Sequence, residues 1–220
     1  YALRHNFGDT LARRAEHYYR KIREGEHNEH EGGGIASAHD RVKFRHPVSP
    51  RDLLPDAWPR AMFVDQLGNA AEAPRYRIAS VGTHHLRLTA EGVEKHIALD
   101  ARGLSVQYLL AAPDSGLETR IDLALPSCDG FLGRFVVNDV VAGGFGGEYS
   151  WAQLSRLSLE DGVLGARLTL WIEPAADVDA RPLHSVSQSE DGFEKIMQSV
   201  CLTFRGRGPA LGIRISVQET

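Results

Sequence analysis

A polar segment between residues 184 and 194 carries the side chains best suited to acid–base chemistry. It holds His184, Glu190 and Glu194, separated mainly by small and polar residues. An imidazole and a carboxylate can act as acid and base on an open-chain sugar, and a carboxylate can also bind a sugar hydroxyl. No local spacing ties His184 to Glu190 in those roles. The segment fits better as a turn built by its Ser and Asp residues, with Phe193 packed beneath it.

The three tryptophans are a second group of side chains that could hold a sugar. An indole ring can stack on the apolar face of glucose, but large aromatic side chains more often lie in a core, where each buries about 150 Å² or more. Trp171 lies in an alternating segment and Trp58 precedes a proline, whereas Trp151 follows a glycine-rich turn. We expect Trp151 to be the most exposed. The candidate carbohydrate-binding residues are therefore Trp151, His184, Glu190 and Glu194, and no catalytic residue is assigned.

Two further patterns imitate ligand sites without the features that such sites need. His27 and His30 lie among Glu26, Glu29 and Glu31, but a zinc site needs three or four ligands in fixed geometry, and this run has no ordering framework. The glycine-rich stretches 143–147 and 206–212 lack the Lys-Ser or Lys-Thr of a phosphate loop, so we interpret them as turns. The sequence predicts no metal site and no cofactor.

Composition narrows the class of protein. A formal net charge of -4 and a pI near 6.2 give no electrostatic footprint for nucleic acid. No apolar run approaches the ~20 residues of a membrane-spanning helix, and the first residues do not resemble a secretory signal. The only cysteines are Cys128 and Cys201, without metal-ligand spacing. We expect a cytoplasmic protein with two buried thiols, binding neither nucleic acid nor membrane.

Short strands are the elements that must position these side chains. After the loop signal at 47–50, alternating or β-branched runs occur at 58–67, 76–81, 85–89, 96–100, 104–110, 118–125, 131–137, 154–159, 163–172, 195–204 and 211–217. Asp161-Gly162 between two runs predicts a tight hairpin turn with positive φ. Roughly a dozen strands exceed an immunoglobulin-like sandwich and predict an all-β fold of two large sheets packed face to face.

The N-terminal segment has a different pattern. Apolar residues recur at helical spacing through Leu11, Ala15, Tyr18 and Ile22, which predicts one amphipathic helix. Residues 24–34 have no apolar side chain to bury and predict a mobile loop. We therefore divide the chain into a docking helix and loop at 1–36 and a β-sandwich domain at 37–220.

Several segments together carry a family resemblance. Residues 182–198, PLHSVSQSEDGFEKIMQ, resemble the end of the C-terminal β-sandwich of glycoside hydrolase family 57 α-amylases and 4-α-glucanotransferases. Residues 9–19, DTLARRAEHYY, resemble the helix that leads into that domain. Residues 39–43, 60–66 and 119–126 are similar to further strands of that domain. Gln66 stands where the family pattern has His, and Arg120 and Asp122 stand where an acidic residue and Asn are usual.

The resemblance implies a large supersandwich of the galactose-mutarotase-like type with one N-terminal helix. It also implies that the nucleophile and the acid/base lie on a separate N-terminal (β/α)7 barrel, since retaining hydrolysis needs two carboxylates about 5 Å apart and no βαβ alternation occurs in this sequence. The partners it implies are that barrel and an α-glucan. We expect this chain to be inactive on α-glucans by itself.

Three hypotheses remain open from the sequence. The first is a noncatalytic C-terminal domain of an α-amylase or 4-α-glucanotransferase that supports the barrel and shapes the glucan groove. The second is a free-standing sugar epimerase or mutarotase-like enzyme that uses His184 with Glu190 or another carboxylate. The third is a scaffold without a ligand.

Overall fold

The computed structural model describes residues 47–101, 103–128, 131–189 and 192–220. The predicted N-terminal helix, the loop at 24–34 and the domain boundary at 36/37 lie outside these residues. The described part of the chain contains two short 3-10 helices, Pro50–Leu53 and Pro113–Ser115. The strands are β1 Met62–Leu67, β2 Arg77–Val81, β3 His85–Ala90, β4 Val93–Asp100, β5 Gly103–Leu110, β6 Leu117–Leu123, β7 Gly133–Val137, β8 Val140–Gly144, β9 Tyr149–Asp161, β10 Ala166–Ser189, β11 Gly192–Gly206 and β12 Ala210–Glu219.

The predicted hairpin near residue 161 is confirmed, but its turn differs from the predicted one. β9 and β10 pair antiparallel from Asp161 opposite Ala166, so four residues lie between the strands. The positive φ of 64° is at Gly165 rather than Gly162. Asp161 fixes the turn because its Oδ1 accepts hydrogen bonds from the amides of Val163 and Leu164, at 3.0 and 2.9 Å.

The strands form one connected antiparallel sheet in the order β1-β6-β11-β10-β12-β5-β4-β3-β2. The 24-residue β10 is its axis. Residues 166–173 of β10 pair with β12, and residues 177–189 pair with β11. β9 pairs with β10 on the other side and also with β7, which pairs with β8. The strands predicted at 76–81, 85–89, 96–100 and 104–110 are confirmed as β2, β3, β4 and β5, which pair in sequence order as a meander.

The sheet folds into two layers over one core, which confirms the predicted all-β sandwich. We define the first layer as β1, β6, β11 and the second half of β10, and the second layer as the first half of β10 with β12, β5, β4, β3 and β2. Both layers contribute side chains to one apolar cluster, including Ile121, Leu202 and Phe204 from the first layer and Val106, Leu170 and Ile213 from the second. Packing faces of this kind define a sandwich.

A buried carboxylate joins the two layers through side chains. Asp65 of β1 is 3% exposed. Its Oδ1 accepts hydrogen bonds from Tyr108 of β5 and Thr119 of β6, both at 2.7 Å. Its Oδ2 accepts from Lys95 Nζ of β4 at 2.7 Å and from the Tyr76 hydroxyl at 2.8 Å. Because buried charges are stable only when paired and hydrogen-bonded, this network sets how the layers meet.

Aromatic rings complete the surroundings of Lys95. Its Nζ donates to the Phe63 carbonyl at 2.8 Å and lies 5.3 Å from the ring centroids of Tyr76 and Tyr108. Burial lowers the pKa of Lys95, while the Asp65 charge opposes that shift. Burial first, and the Asp65 charge second, raise the pKa of both Tyr76 and Tyr108. Both tyrosines therefore stay protonated at neutral pH and can donate their hydrogen bonds to Asp65.

The two tyrosines predict a loss of stability in alkali. Since their folded pKa values lie above the ordinary value of about 10, their contribution to stability is complete below pH 10 and is lost as the pH rises. The lowered pKa of Lys95 makes stability change with pH in the opposite direction. Above about pH 10.5, however, Lys95 is neutral in both the folded and the unfolded chain and does not contribute to the pH dependence. The free energy of unfolding, measured in urea between about pH 10.5 and 12, should fall, and Tyr76→Phe should make that slope shallower by about 1.4 kcal/mol per pH unit.

Thr119→Val is the matched control, because it removes a hydrogen bond to the same carboxylate without removing a titrating group. It should lower the free energy of unfolding by about 1 kcal/mol and leave the slope unchanged. An unchanged slope in Tyr76→Phe would contradict the assignment.

Candidate functional site

Trp151 lies in β9 and is half-buried. Its ring stacks on Tyr149 with centroids 5.5 Å apart and an interplanar angle of 4°, and it meets Phe135 edge-on at 5.8 Å. One face of the indole is therefore occupied within the protein. Trp58 and Trp171 are half-buried as well, and the Arg214 guanidinium lies 4.5 Å from the Trp171 ring centroid.

The structure does not bring the predicted sugar-binding residues together. Trp151 is opposite Val178 in β10, six residues before His184, which is about 20 Å along a strand. Glu194 of β11 is opposite Ser187 rather than His184. Glu190 lies outside the described residues. His184 and Glu194 are both half-buried.

The predicted polar turn is the end of a long hairpin. β10 continues to Ser189 and β11 begins at Gly192. Phe193 packs with Leu53 and Val186 in a small buried cluster, which confirms the packing expected for Phe193. The His27 and His30 cluster lies outside the described residues, and within the described part of the chain no three His, Cys, Asp or Glu side chains are grouped as a metal site. No helix among these residues is long and apolar enough to cross a membrane.

A different polar group lies on the face of the first layer opposite the core. Asp122 of β6 pairs with Cys201 of β11, and Cys201 pairs with Arg181 of β10. The alternate residues Ile121 and Leu202 are 0% exposed in the core. Since side chains alternate between faces and neighbouring strands lie about 4.8 Å apart, Asp122, Cys201 and Arg181 form one row across the outer face.

The loop that precedes β1 turns this row into a pocket of about 520 Å³. Trp58 belongs to the loop, and the Arg120 guanidinium lies 5.4 Å from its ring centroid. The 3-10 helix before the loop is tied to β11 by an ion pair of 2.7 Å between Asp52 and Lys195. The pocket is lined by Arg51, Leu54, Pro55, Asp56, Ala57, Trp58, Pro59, Arg60, Arg120, Asp122, Arg181, Leu183 and Cys201.

Arg60 is the most deeply buried charge of the pocket, at 1% exposure. Its Nε donates to Asp56 Oδ2 at 2.7 Å, and its Nη2 donates to the His184 carbonyl at 3.1 Å. These contacts hold the guanidinium in place. Its Nη1 is buried and has no hydrogen-bond acceptor among the described residues.

Asp122 provides the complementary acceptor. It is 6% exposed, and its Oδ1 receives no hydrogen bond from the described residues. Burial raises the pKa of Asp122 to about 6, although the Cys201 thiol and the charges of Arg60 and Arg181 act in the opposite direction. A carboxylate in this state can accept a hydrogen bond from a ligand.

Cys201 is part of the pocket wall and is not a nucleophile. Burial, followed by the charge of Asp122, raises the pKa of the Cys201 thiol to about 12. The Cys201 thiol therefore stays protonated at neutral pH, and it is unreactive because only the thiolate reacts readily. Neither Cys201 nor Cys128, both buried, forms a disulfide. The buried donor and acceptor of the pocket can therefore bind a polar ligand.

Sequence reasoning missed this pocket, although one signal was present. The strand Thr119 to Leu123 alternates apolar and polar residues, which places Arg120 and Asp122 on one outer face. We interpreted both as departures from a family pattern. Arg60 lies within the predicted run 58–67 but just before β1 in the structure, and only the register of the sheet brings it close to Asp122.

The raised pKa of Asp122 predicts that replacing this residue stabilises the protein by an amount that depends on pH. Because the folded pKa of about 6 exceeds the unfolded value, the carboxyl group's favourable contribution is complete below about pH 4 and is lost as the pH rises through 6. The effect of Asp122→Asn on the free energy of unfolding should therefore be more stabilising at pH 7.5 than at pH 3.5, by about 2–3 kcal/mol.

Asp56→Asn is the contrasting variant for this measurement, because it removes a carboxylate that pairs with the buried Arg60. It should destabilise the protein at pH 7.5. Equal effects of Asp122→Asn at the two pH values would contradict the burial argument.

Comparison with known proteins agrees with the architecture. The family model described as α-amylase/4-α-glucanotransferase, C-terminal, matches residues 1–81 and 75–209. A 4-α-glucanotransferase of Thermococcus kodakarensis is 26% identical over 218 residues, covering 90% of this chain and 31% of the relative. The crystal structure of a 4-α-glucanotransferase from Thermococcus litoralis aligns with a TM-score of 0.56 and 20% identity, over 80% of this chain and 32% of that one.

The chain spans about a third of the length of the relatives it matches. The structural alignment, at 20% identity, shows similarity of fold alone. The family model, by contrast, matches most of the chain in two overlapping segments. This chain belongs to the family of α-amylase/4-α-glucanotransferase C-terminal domains.

Proposed function

We propose that this chain is a noncatalytic C-terminal domain of an enzyme that acts on α-1,4-glucans, an α-amylase or 4-α-glucanotransferase of glycoside hydrolase family 57. In this role it supports a catalytic barrel located in another part of the protein and contacts the glucan. The two buried thiols, Cys128 and Cys201, fit a reducing cytoplasm.

One observation carries the proposal. Every pairing between the described strands is antiparallel, whereas a (β/α) barrel is built from parallel strands joined by helices. The match to about a third of the relatives' length fits the same division of labour. The carboxylates that react with the glucan then belong to the rest of the enzyme.

The first test is the activity of the 220-residue chain on maltoheptaose, with products separated by chromatography and the Thermococcus kodakarensis enzyme as positive control. We expect neither shorter nor longer maltooligosaccharides. Turnover by the chain alone, lost in a variant of one of its own carboxylates, would contradict the proposal.

Aldose mutarotation, followed by polarimetry on the same samples, tests the enzyme hypothesis built on His184 and Glu190. We expect the uncatalysed rate for the chain and for His184→Ala. A faster rate that His184→Ala abolishes would replace the proposal by a mutarotase-like function.

Support of a catalytic region can be measured directly. The chain is fused to the N-terminal part of the Thermococcus kodakarensis enzyme in place of its matching third. Because a docked domain stabilises its partner by mass action, the catalytic part should unfold at least ~5 °C higher in the fusion than in the truncated enzyme. Equal unfolding temperatures would count against a supporting role.

A further inference from the structure

The pocket beside β1 holds one hydrogen-bond donor and one acceptor that the described residues leave without a partner. The donor is Nη1 of Arg60, and the acceptor is Oδ1 of Asp122. Both side chains are more than nine-tenths buried. Leaving such groups unsatisfied costs about 1–3 kcal/mol each, and more when they are charged. A ligand that reached both atoms from the pocket would remove this cost.

We propose that this pocket binds neighbouring hydroxyl groups of a glucosyl unit in an α-1,4-glucan, with Arg60 donating to one oxygen and Asp122 accepting from a hydroxyl. The assignment of glucan as the ligand rests on the proposed function. A hydroxyl group is both donor and acceptor, so a vicinal pair satisfies both side chains at once. An anion would satisfy Arg60 and face the carboxylate of Asp122, and a cation would do the reverse.

The balance of the charges that act on Asp122 favours an uncharged ligand. Asp122 is surrounded by the charges of Arg60, Arg181 and Asp56 and by the Cys201 thiol. The two guanidinium groups are thus opposed by two carboxylates. Toward the rim, Arg120 is already paired with Glu118 at 2.5 Å, and the exposed Arg51, which also lines the pocket, has an interaction partner of its own. A neutral polyol enters without uncovering an unpaired charge.

The shape of the pocket also suits a sugar. Its volume of about 520 Å³ lies within the range of about 300–1,000 Å³ that small-molecule sites occupy. Trp58 supplies an apolar wall, and the Arg120 guanidinium, 5.4 Å from the ring centroid, restrains the indole. An aromatic wall beside a fixed donor and acceptor can hold the apolar face of a sugar while its hydroxyls are bound.

Titration calorimetry of the full 220-residue chain with maltoheptaose tests the proposal. At pH 7.5 we expect saturable binding that Asp122→Leu weakens at least ~10-fold, the effect of one lost hydrogen bond to a charged group. Asp179→Leu is the matched control, since Asp179 lies on the same outer face but pairs with Arg205 and Ser150. It should leave the affinity unchanged.

Two further measurements keep the test decisive if Asp122→Leu fails to fold. Trp58→Leu, in the loop, should also weaken binding several-fold. For the unmodified chain, affinity should increase as the pH rises from 5 to 7, because a hydroxyl donates more strongly to the ionised form of Asp122, whose pKa is about 6.

The opposing outcomes are distinct. Three results would each contradict the proposal. They are the absence of maltoheptaose binding, binding that Trp151→Phe weakens while Asp122→Leu does not, and binding of inorganic phosphate in place of the glucan. If the fusion to the catalytic region is nevertheless stabilised, the pocket proposal fails alone and the supporting role stands.

Discussion

The convergence of donors on Asp65 is the interaction on which the architecture depends. Its carboxylate receives hydrogen bonds from Thr119 in its own layer and from Lys95 and Tyr108 in the opposite layer. Each of these groups is costly to bury alone, so the layers are stable only in the arrangement that brings them together. The network also explains strain nearby: Phe63 has a φ of 58°, which costs about 1–3 kcal/mol, and Lys95 binds its carbonyl.

The same strands that hold this network position the pocket on their other face. Along β6, Thr119 and Ile121 are buried toward the core, whereas Asp122 lies on the outer side beside Cys201. The register that the core requires therefore fixes the outer row of Asp122, Cys201 and Arg181. Asp122 weakens the fold at neutral pH, because burial opposes its ionised form. A destabilising carboxylate kept on a rigid sheet is typical of a residue retained for binding.

The sequence predicts local features well and the pocket poorly, for physical reasons. Alternation and turn residues identify most strands and the β9–β10 hairpin, because these signals act within a few residues. β10 was missed beyond Ile172, since Pro174 and Pro182 suggest its end, whereas the strand continues to Ser189. Arg60, Asp122, Arg181 and Cys201 meet only through the pairing of distant strands. The grouping of Trp151 with His184 failed for the same reason, since no local pattern reports their separation along β10.

A double-mutant cycle on Asp65 and Lys95, read as the free energy of unfolding in urea at pH 7.5, tests most directly whether their contact clamps the two layers. Asp65→Asn leaves the Lys95 ammonium buried without its counter-charge and should cost about 3–5 kcal/mol. With Lys95→Met already present, the same change should cost about 2 kcal/mol less. Effects of the two changes that add to within about 0.5 kcal/mol would contradict the account.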